Sequence, residues 1–183
     1  MNTDMGVGKL EREAQRLRRR GEVFLQRTRI LPLLRRNGAV EFTGGYALGL
    51  MANPDIDITV NNPRISRDVV LDALQSIIKT NRFRGHLFYD FTIHRHKGFP
   101  RGWYIGLKQR FRGEKWKIDI WFVRTRPRSK LPFAKLTARQ RRIILRLKTE
   151  RNLRGLDLPG WNIYKAVLEY NAKSIAEVLQ REY

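Results

Sequence analysis

The feature that most constrains the fold is a strand-like segment, Asp55–Ile58, that follows two consecutive glycines, Gly44 and Gly45. Successive side chains of a strand point to opposite faces, so Asp55 and Asp57 lie together while the isoleucines face a core. Two carboxylates about 4 Å apart repel by roughly 4 kcal/mol at an effective dielectric constant of about 20. Mg²⁺ relieves such repulsion, because it prefers carboxylate, water and phosphate oxygens. Glycine backbone can approach a phosphate closely, so the segment predicts a metal-dependent phosphate site.

Composition restricts the class of protein. The chain has 183 residues, 42% of them hydrophobic, which is enough to bury a core. Cysteine is absent, which excludes disulfides and thiolate metal sites. The sequence has no membrane-length apolar run and no signal-peptide pattern, so a cytoplasmic protein without transmembrane segments is expected. The net charge of +21 favours a polyanionic partner, such as nucleic acid, nucleotides or an anionic membrane surface.

Hydrophobic periodicity predicts an α/β (α+β) fold with three regions. A basic helical segment (1–37) precedes a core (38–123), and a basic linker with C-terminal helices (124–183) follows. Strands are predicted at 39–43, 55–60, 87–94, 103–108 and 116–123. Helices are predicted at 10–29 and 66–80, after a cap at Thr137, and between 161 and 183, with a helical turn at 46–50. The four tryptophans, Trp103, Trp116, Trp121 and Trp161, are expected mostly in the core rather than on base-stacking surfaces.

A third carboxylate, Asp119, lies in an otherwise apolar strand, where a charge is costly unless it serves a function. If that strand pairs beside 55–60, Asp119 joins Asp55 and Asp57 in a cluster that can hold two Mg²⁺ ions. One metal would activate an attacking hydroxyl, and the other would stabilise a triphosphate and its leaving group. Asp55 and Asp57 could contact both metals. Asp119 would hold the metal nearest the hydroxyl and accept its proton.

These residues resemble the signature of the DNA polymerase β-like nucleotidyltransferase superfamily over about residues 38–123. The matching elements are Thr43-Gly44-Gly45, Asp55-Ile56-Asp57 and Ile118-Asp119-Ile120. Residues 44–48 are also similar to the Gly-Gly-x-Ala-Leu form of antibiotic nucleotidyltransferases and of abortive-infection toxins. The resemblance implies a mixed β-sheet flanked by helices and transfer of a nucleoside monophosphate from an NTP to a hydroxyl, with Mg²⁺ and pyrophosphate release. Gly45 replaces a serine common in the superfamily, so phosphate binding would depend on backbone N–H groups and Thr43.

The positive charge favours RNA as the acceptor, and a tRNA-like 3′ end is the expected substrate, since a site for a cationic drug would need acidic side chains around it. Arg139, Arg142 and Arg146 recur at helical spacing and could follow a phosphate backbone. They could equally form a solvated face or a membrane-surface helix. Lys108 and Arg110 share one face of a predicted strand, where they could meet a triphosphate or simply be solvated.

Each assignment has a plainer alternative. Asp55 and Asp57 could lie at a solvated strand edge, and Asp119 could be a surface residue paired with Lys117 or Arg124. The same chemistry could act on a small molecule or a protein side chain. Alternatively, the aspartates could be structural in a non-catalytic nucleic-acid-binding module.

Overall fold

The computed structural model describes residues 3–80, 83–93, 98–127 and 131–181. They belong to two compact units. The helical unit consists of the described residues within Met1–Arg18, Leu48–Asn53 and Ser129–Tyr183, and the sheet unit consists of those within Arg19–Ala47 and Pro54–Arg128. No helix in the described part of the chain is both long enough and apolar enough to cross a membrane.

The sheet unit is built on a mixed five-stranded sheet. Its strands are β1 (Ala39–Thr43), β2 (Asp55–Asn61), β3 (Gly85–Asp90), β4 (Gly102–Phe111) and β5 (Glu114–Val123). They are arranged in the order β1-β2-β5-β4-β3, with β2 and β5 parallel and the other pairs antiparallel. This mixed sheet with surrounding helices confirms the predicted α+β class.

The predicted helices are present with different bounds, and the short helix Ile30–Arg35 is an additional one that was not predicted. They are α1 (Thr3–Thr28), α2 (Ile30–Arg35), α3 (Gly44–Leu48), α4 (Arg67–Thr80), α5 (Ala138–Leu153), α6 (Gly160–Tyr170) and α7 (Ile175–Leu179). Helix α1 begins earlier than predicted. Strand β3 ends earlier, at Asp90, because the Asp90 carboxylate accepts the Thr92 backbone N–H (2.9 Å) and turns the chain. His94, the last residue of the predicted strand, lies outside the described residues.

The two faces of the sheet differ in character. One face is the core, whose fully buried side chains are Ile56, Ile58, Val60, Ile105, Leu107, Ile118, Ile120 and Phe122. Burying each of these contributes about 1.5–3 kcal/mol. Phe24 of α1 packs on Trp116 of this face, with ring centroids 5.2 Å apart. The opposite face carries the alternate residues of each strand, including Asp55, Asp57 and Asp119, and is called the carboxylate face below.

The tryptophan prediction is only partly right. Trp103 and Trp116 are 3% and 1% exposed, as core residues are. Trp161 is 46% exposed at the start of α6. Trp121 is half-buried on the carboxylate face, because its strand position shares the parity of Asp119.

The helical unit has its own core. Side chains from α5, α6 and α7 are buried together, among them Ile144, Leu147, Ile163, Val167 and Val178. Helix α5 begins with the predicted Thr137 cap, whose hydroxyl accepts the Gln140 N–H (3.2 Å) in a capping box. The buried ammonium of Lys148 donates to the Leu50 carbonyl (2.8 Å), which stabilises the segment at Leu48–Asn53.

Candidate active site

Three aspartates from two parallel strands converge on the carboxylate face. The β2–β5 register places Asp57 directly beside Asp119 and Asp55 beside Lys117. One carboxylate oxygen from each aspartate lies within 4.8 Å of the others, and all three residues are partly exposed. In the described ranges, these three residues are the group of acidic or histidine side chains close enough together to hold one metal ion. The structure therefore brings together the three aspartates that the sequence singled out, at neighbouring positions of the β2–β5 pairing.

The glycine turn lies against the second of these carboxylates. Thr43, the last residue of β1, pairs with Asp57, and Gly44 follows with a φ of 60°. A Cβ atom at Gly44 would lie 2.0 Å from Asp57 Oδ2, much closer than any carbon–oxygen contact. Only glycine therefore combines this left-handed backbone with a carboxylate directly against it. Gly45 is buried in the first turn of α3.

Lys117 provides a positive charge inside the cluster. Its Nζ lies 2.5 Å from Asp119 Oδ2. Burial opposes the charged form of Lys117, but the charge of Asp55 and the hydrogen bond to Asp119 outweigh it and raise the pKa of the amine. The ammonium thus partly offsets the repulsion among the carboxylates. The pairing of Asp119 with Lys117 considered in the sequence is present, together with the clustering, whereas Arg124 donates to a backbone carbonyl instead (3.0 Å).

Tyr104 holds the other oxygen of Asp119. Its hydroxyl donates to Asp119 Oδ1 at 2.6 Å. Burial raises the pKa of this phenol well above its usual range, and the hydrogen bond and charge of Asp119 raise it further, so the hydroxyl stays a neutral donor. Gly106 pairs with Asp119 across the sheet, and a Cβ there would lie 2.5 Å from the Tyr104 hydroxyl. The absence of a side chain at Gly106 lets the phenol reach the carboxylate.

Sequence reasoning missed the roles of Tyr104 and Gly106. The signal was present, since the alternation of the predicted strand places Tyr104, Gly106 and Lys108 on one face. What the sequence lacked was the register between β4 and β5, which aligns Gly106 with Asp119.

A cationic pocket of about 580 Å³ adjoins the carboxylates on the same unit. Its lining residues are Arg84, Gly85, Lys108, Gln109, Arg110, Lys115, Trp116 and Lys117. Lys108 lies directly opposite Lys117, and Arg110 opposite Lys115. Like charges at such cross-strand positions destabilise a sheet. Two neighbouring pairs of this kind, with no acid among the described lining residues, make the pocket suited to a polyanion.

The three arginines proposed to follow a nucleic acid backbone belong to the helical unit. Arg139, Arg142 and Arg146 are exposed on α5, as their spacing predicted. Arg146 also donates to the Lys173 carbonyl (2.5 Å), which restricts its side chain. Their role in binding stays a prediction.

No protein-family model matches this chain, and no curated protein matches it. The function proposed below therefore depends on the geometry and charge of the site.

Proposed function

We propose that this protein is a Mg²⁺-dependent nucleotidyltransferase that moves a nucleoside monophosphate from an NTP to a hydroxyl of RNA. The observation that carries the proposal is the approach of Asp55, Asp57 and Asp119 to within 4.8 Å beside a glycine turn. A purely structural set of three carboxylates would be costly, because each like-charged pair repels. A site that binds a divalent cation and a phosphate accounts for both the carboxylates and the turn.

The donor set fits Mg²⁺. All three side chains offer hard carboxylate oxygens, and their partial exposure leaves room for water and phosphate oxygens to complete an octahedral shell. When bound, the metal supplies charge stabilisation for the triphosphate and lowers the pKa of the acceptor hydroxyl. Asp55, Asp57 and Asp119 would hold it. Asp55 and Asp57 come from one strand, whereas Asp119 comes from its parallel neighbour.

The other residues of the site position the acceptor hydroxyl and the triphosphate for the reaction. The acceptor oxygen attacks the α-phosphorus of the NTP, the bond from that phosphorus to the β-phosphate oxygen breaks, and pyrophosphate leaves. Asp119 accepts the hydroxyl proton, and Tyr104 and Lys117 orient its two oxygens through their hydrogen bonds. The cationic pocket, through Lys108 and Lys117, binds the triphosphate and the departing pyrophosphate.

RNA is favoured as the acceptor by charge. The net charge of +21 exceeds what binding one nucleotide requires. A polyanionic acceptor benefits from that field in both affinity and association rate. A cationic small molecule would be repelled by it.

The test is transfer of α-³²P label from each NTP to total RNA in the presence of Mg²⁺. Wild type should label RNA, and Asp57→Asn should reduce the rate by at least about 100-fold because a metal ligand is lost. Asp72→Asn, the same substitution on an exposed residue of α4, should be unchanged. Label that survives RNase would assign the chemistry to a protein or small-molecule acceptor. Absence of transfer to any acceptor, or equal transfer by Asp57→Asn, would refute the proposal.

A further inference from the structure

Five aromatic side chains cluster on the carboxylate face: Tyr89, Phe91, Phe99, Tyr104 and Trp121. We call them the aromatic cluster. Phe99 stacks on Trp121 with centroids 5.6 Å apart and planes at 23°, and on Phe91 at 5.4 Å and 20°. Tyr104 contacts the same indole at 5.2 Å, and Tyr89 lies 6.0 Å from Tyr104. The rings therefore form one continuous group.

The aromatic cluster is not part of the hydrophobic core. Tyr89 is 51% and Phe99 is 52% exposed. Single exposed aromatics are ordinary on a protein surface, but a group of contacting rings of which two are exposed and three half-buried is characteristic of a binding site. The exposed Phe99 is already stacked on two rings, and aromatic surface of this kind suits another planar ring more than an aliphatic side chain.

The position of the cluster relates it to the carboxylates. Trp121, Tyr104 and Tyr89 pair across β5, β4 and β3 in one row. The neighbouring row on the same face contains Asp119 and Gly106, and two strand residues separate rows by about 6.6 Å. The Tyr104 hydroxyl bridges the rows by donating to Asp119.

The cationic pocket lies on the other side of the carboxylates along the strands. Its Lys108–Lys117 pair is in the same row as Asp55, because Lys117 pairs with both. The carboxylate face thus presents cations, then carboxylates, then aromatic rings. Asp55 shares its row with the cations, whereas Asp119, the aspartate assigned to the acceptor hydroxyl, is bonded to the aromatic row.

We propose that the aromatic cluster binds the unpaired terminal bases of the acceptor RNA by stacking, and so places the terminal hydroxyl at Asp119. The proposal rests on the proposed function for the role of Asp119, but the binding itself needs neither metal nor NTP. Stacking on aromatic rings tolerates any base. A nucleic acid is favoured over a protein partner because the same face carries two like-charged cationic pairs beyond the carboxylates, where they can bind phosphates.

The test is fluorescence anisotropy of a single-stranded RNA of about ten nucleotides, labelled at its 5′ end, titrated with the protein in EDTA. Phe99→Ala and Tyr89→Ala should each weaken binding by about 10-fold, since stacking of one base contributes roughly that factor. Tyr89→Phe should bind as wild type because the ring is kept. Tyr170→Ala is the matched control, since Tyr170 is a similarly exposed tyrosine (46%) of the helical unit.

Two further arms separate base stacking from other causes. An RNA with abasic 3′-terminal positions keeps its phosphates, so wild type should bind it as weakly as Phe99→Ala binds the intact RNA. The slope of log affinity against log salt should be unchanged in Phe99→Ala, because phosphate contacts set that slope.

The proposal is overturned if wild type does not bind the RNA, or if Tyr170→Ala weakens binding as much as Tyr89→Ala does. It is also overturned if the two substitutions weaken NTP binding and leave RNA binding intact, which would assign the rings to the incoming nucleotide. Capture of a protein with no RNA binding would assign the face to a protein partner. Asp57→Asn should bind the RNA normally, so failure of the catalytic proposal is distinguished from failure of this one.

Discussion

Asp57→Asn should stabilise the protein in the absence of metal while removing its response to Mg²⁺. Asp57 has a carboxylate oxygen within 4.8 Å of oxygens of both Asp55 and Asp119. At that distance and an effective dielectric constant of about 20, each like-charged pair costs about 3.5 kcal/mol. Solvent screening and the Lys117 ammonium offset much of this, so a net gain of about 1–2 kcal/mol is expected from the neutral amide. For a chain of this length, that gain raises Tm by roughly 2–8 °C.

The assay is thermal denaturation in EDTA and again with Mg²⁺ and an NTP. Wild type should gain stability when Mg²⁺ and NTP are added, because a ligand that binds the folded state stabilises it. Asp57→Asn should start from a higher Tm and gain little. Asp72→Asn should match wild type in both conditions, since Asp72 is an exposed residue of α4 outside the carboxylate cluster. A lower Tm for Asp57→Asn in EDTA, with an undiminished Mg²⁺ response, would contradict the interpretation of the cluster as a strained metal site.

Three further substitutions test separate parts of the structure. Gly44→Ala should lower the free energy of unfolding by about 1–2 kcal/mol because of its left-handed backbone, and it should also reduce transfer activity because the new Cβ displaces the Asp57 carboxylate. The control Gly155→Ala, with a φ of 61° and open space around it, should lose stability alone. Urea denaturation and the transfer assay separate the two effects. Lys148→Met should cost about 1–3 kcal/mol in urea denaturation, because it leaves a buried carbonyl without its ammonium donor; an unchanged midpoint would contradict this. Burial opposes ionisation of Asp90, but hydrogen bonds from Thr92 outweigh it and hold its pKa below the ordinary value. The stability from this carboxylate is therefore present above about pH 4 and lost as pH falls through the folded pKa. Asp90→Asn should make the free energy of unfolding depend less on pH in that range. An unchanged dependence of stability on acid pH would refute the assignment.

Local patterns were sufficient for most of the elements. The bounds of β1 agree with the sequence, and the Thr137 cap is present, because turn, cap and alternation signals act over a few residues. The end of β3 was missed because it depends on hydrogen bonds that the Asp90 carboxylate accepts from the backbone N–H and the hydroxyl of Thr92. Such a bond competes with the strand without changing its hydrophobic pattern.

The sequence identified the three aspartates of the candidate site, but it did not predict most of the hydrogen bonds that hold them in place. Asp119 was selected because a charge in an apolar strand needs a reason. Its pairing with Lys117 was one of the alternatives that the sequence left open, whereas its hydrogen bond with Tyr104 depends on the β4–β5 register, which a single sequence does not specify. Trp121 was expected in the core for the same reason, since its exposure depends on which face of β5 is covered.

The last strand of the sequence, β5, occupies the middle of the sheet. Strand β5 is inserted between β2 and β4, so the β1–β2 and β3–β4 pairs are joined only when it is in place. During synthesis at about 5–20 residues per second, Asp119 leaves the ribosome several seconds after Asp57. A nascent chain that lacks β5 would have two of the three carboxylates and no continuous sheet. Assembly of the site is thereby coupled to completion of the sheet, and a truncated product would be expected to have no transfer activity.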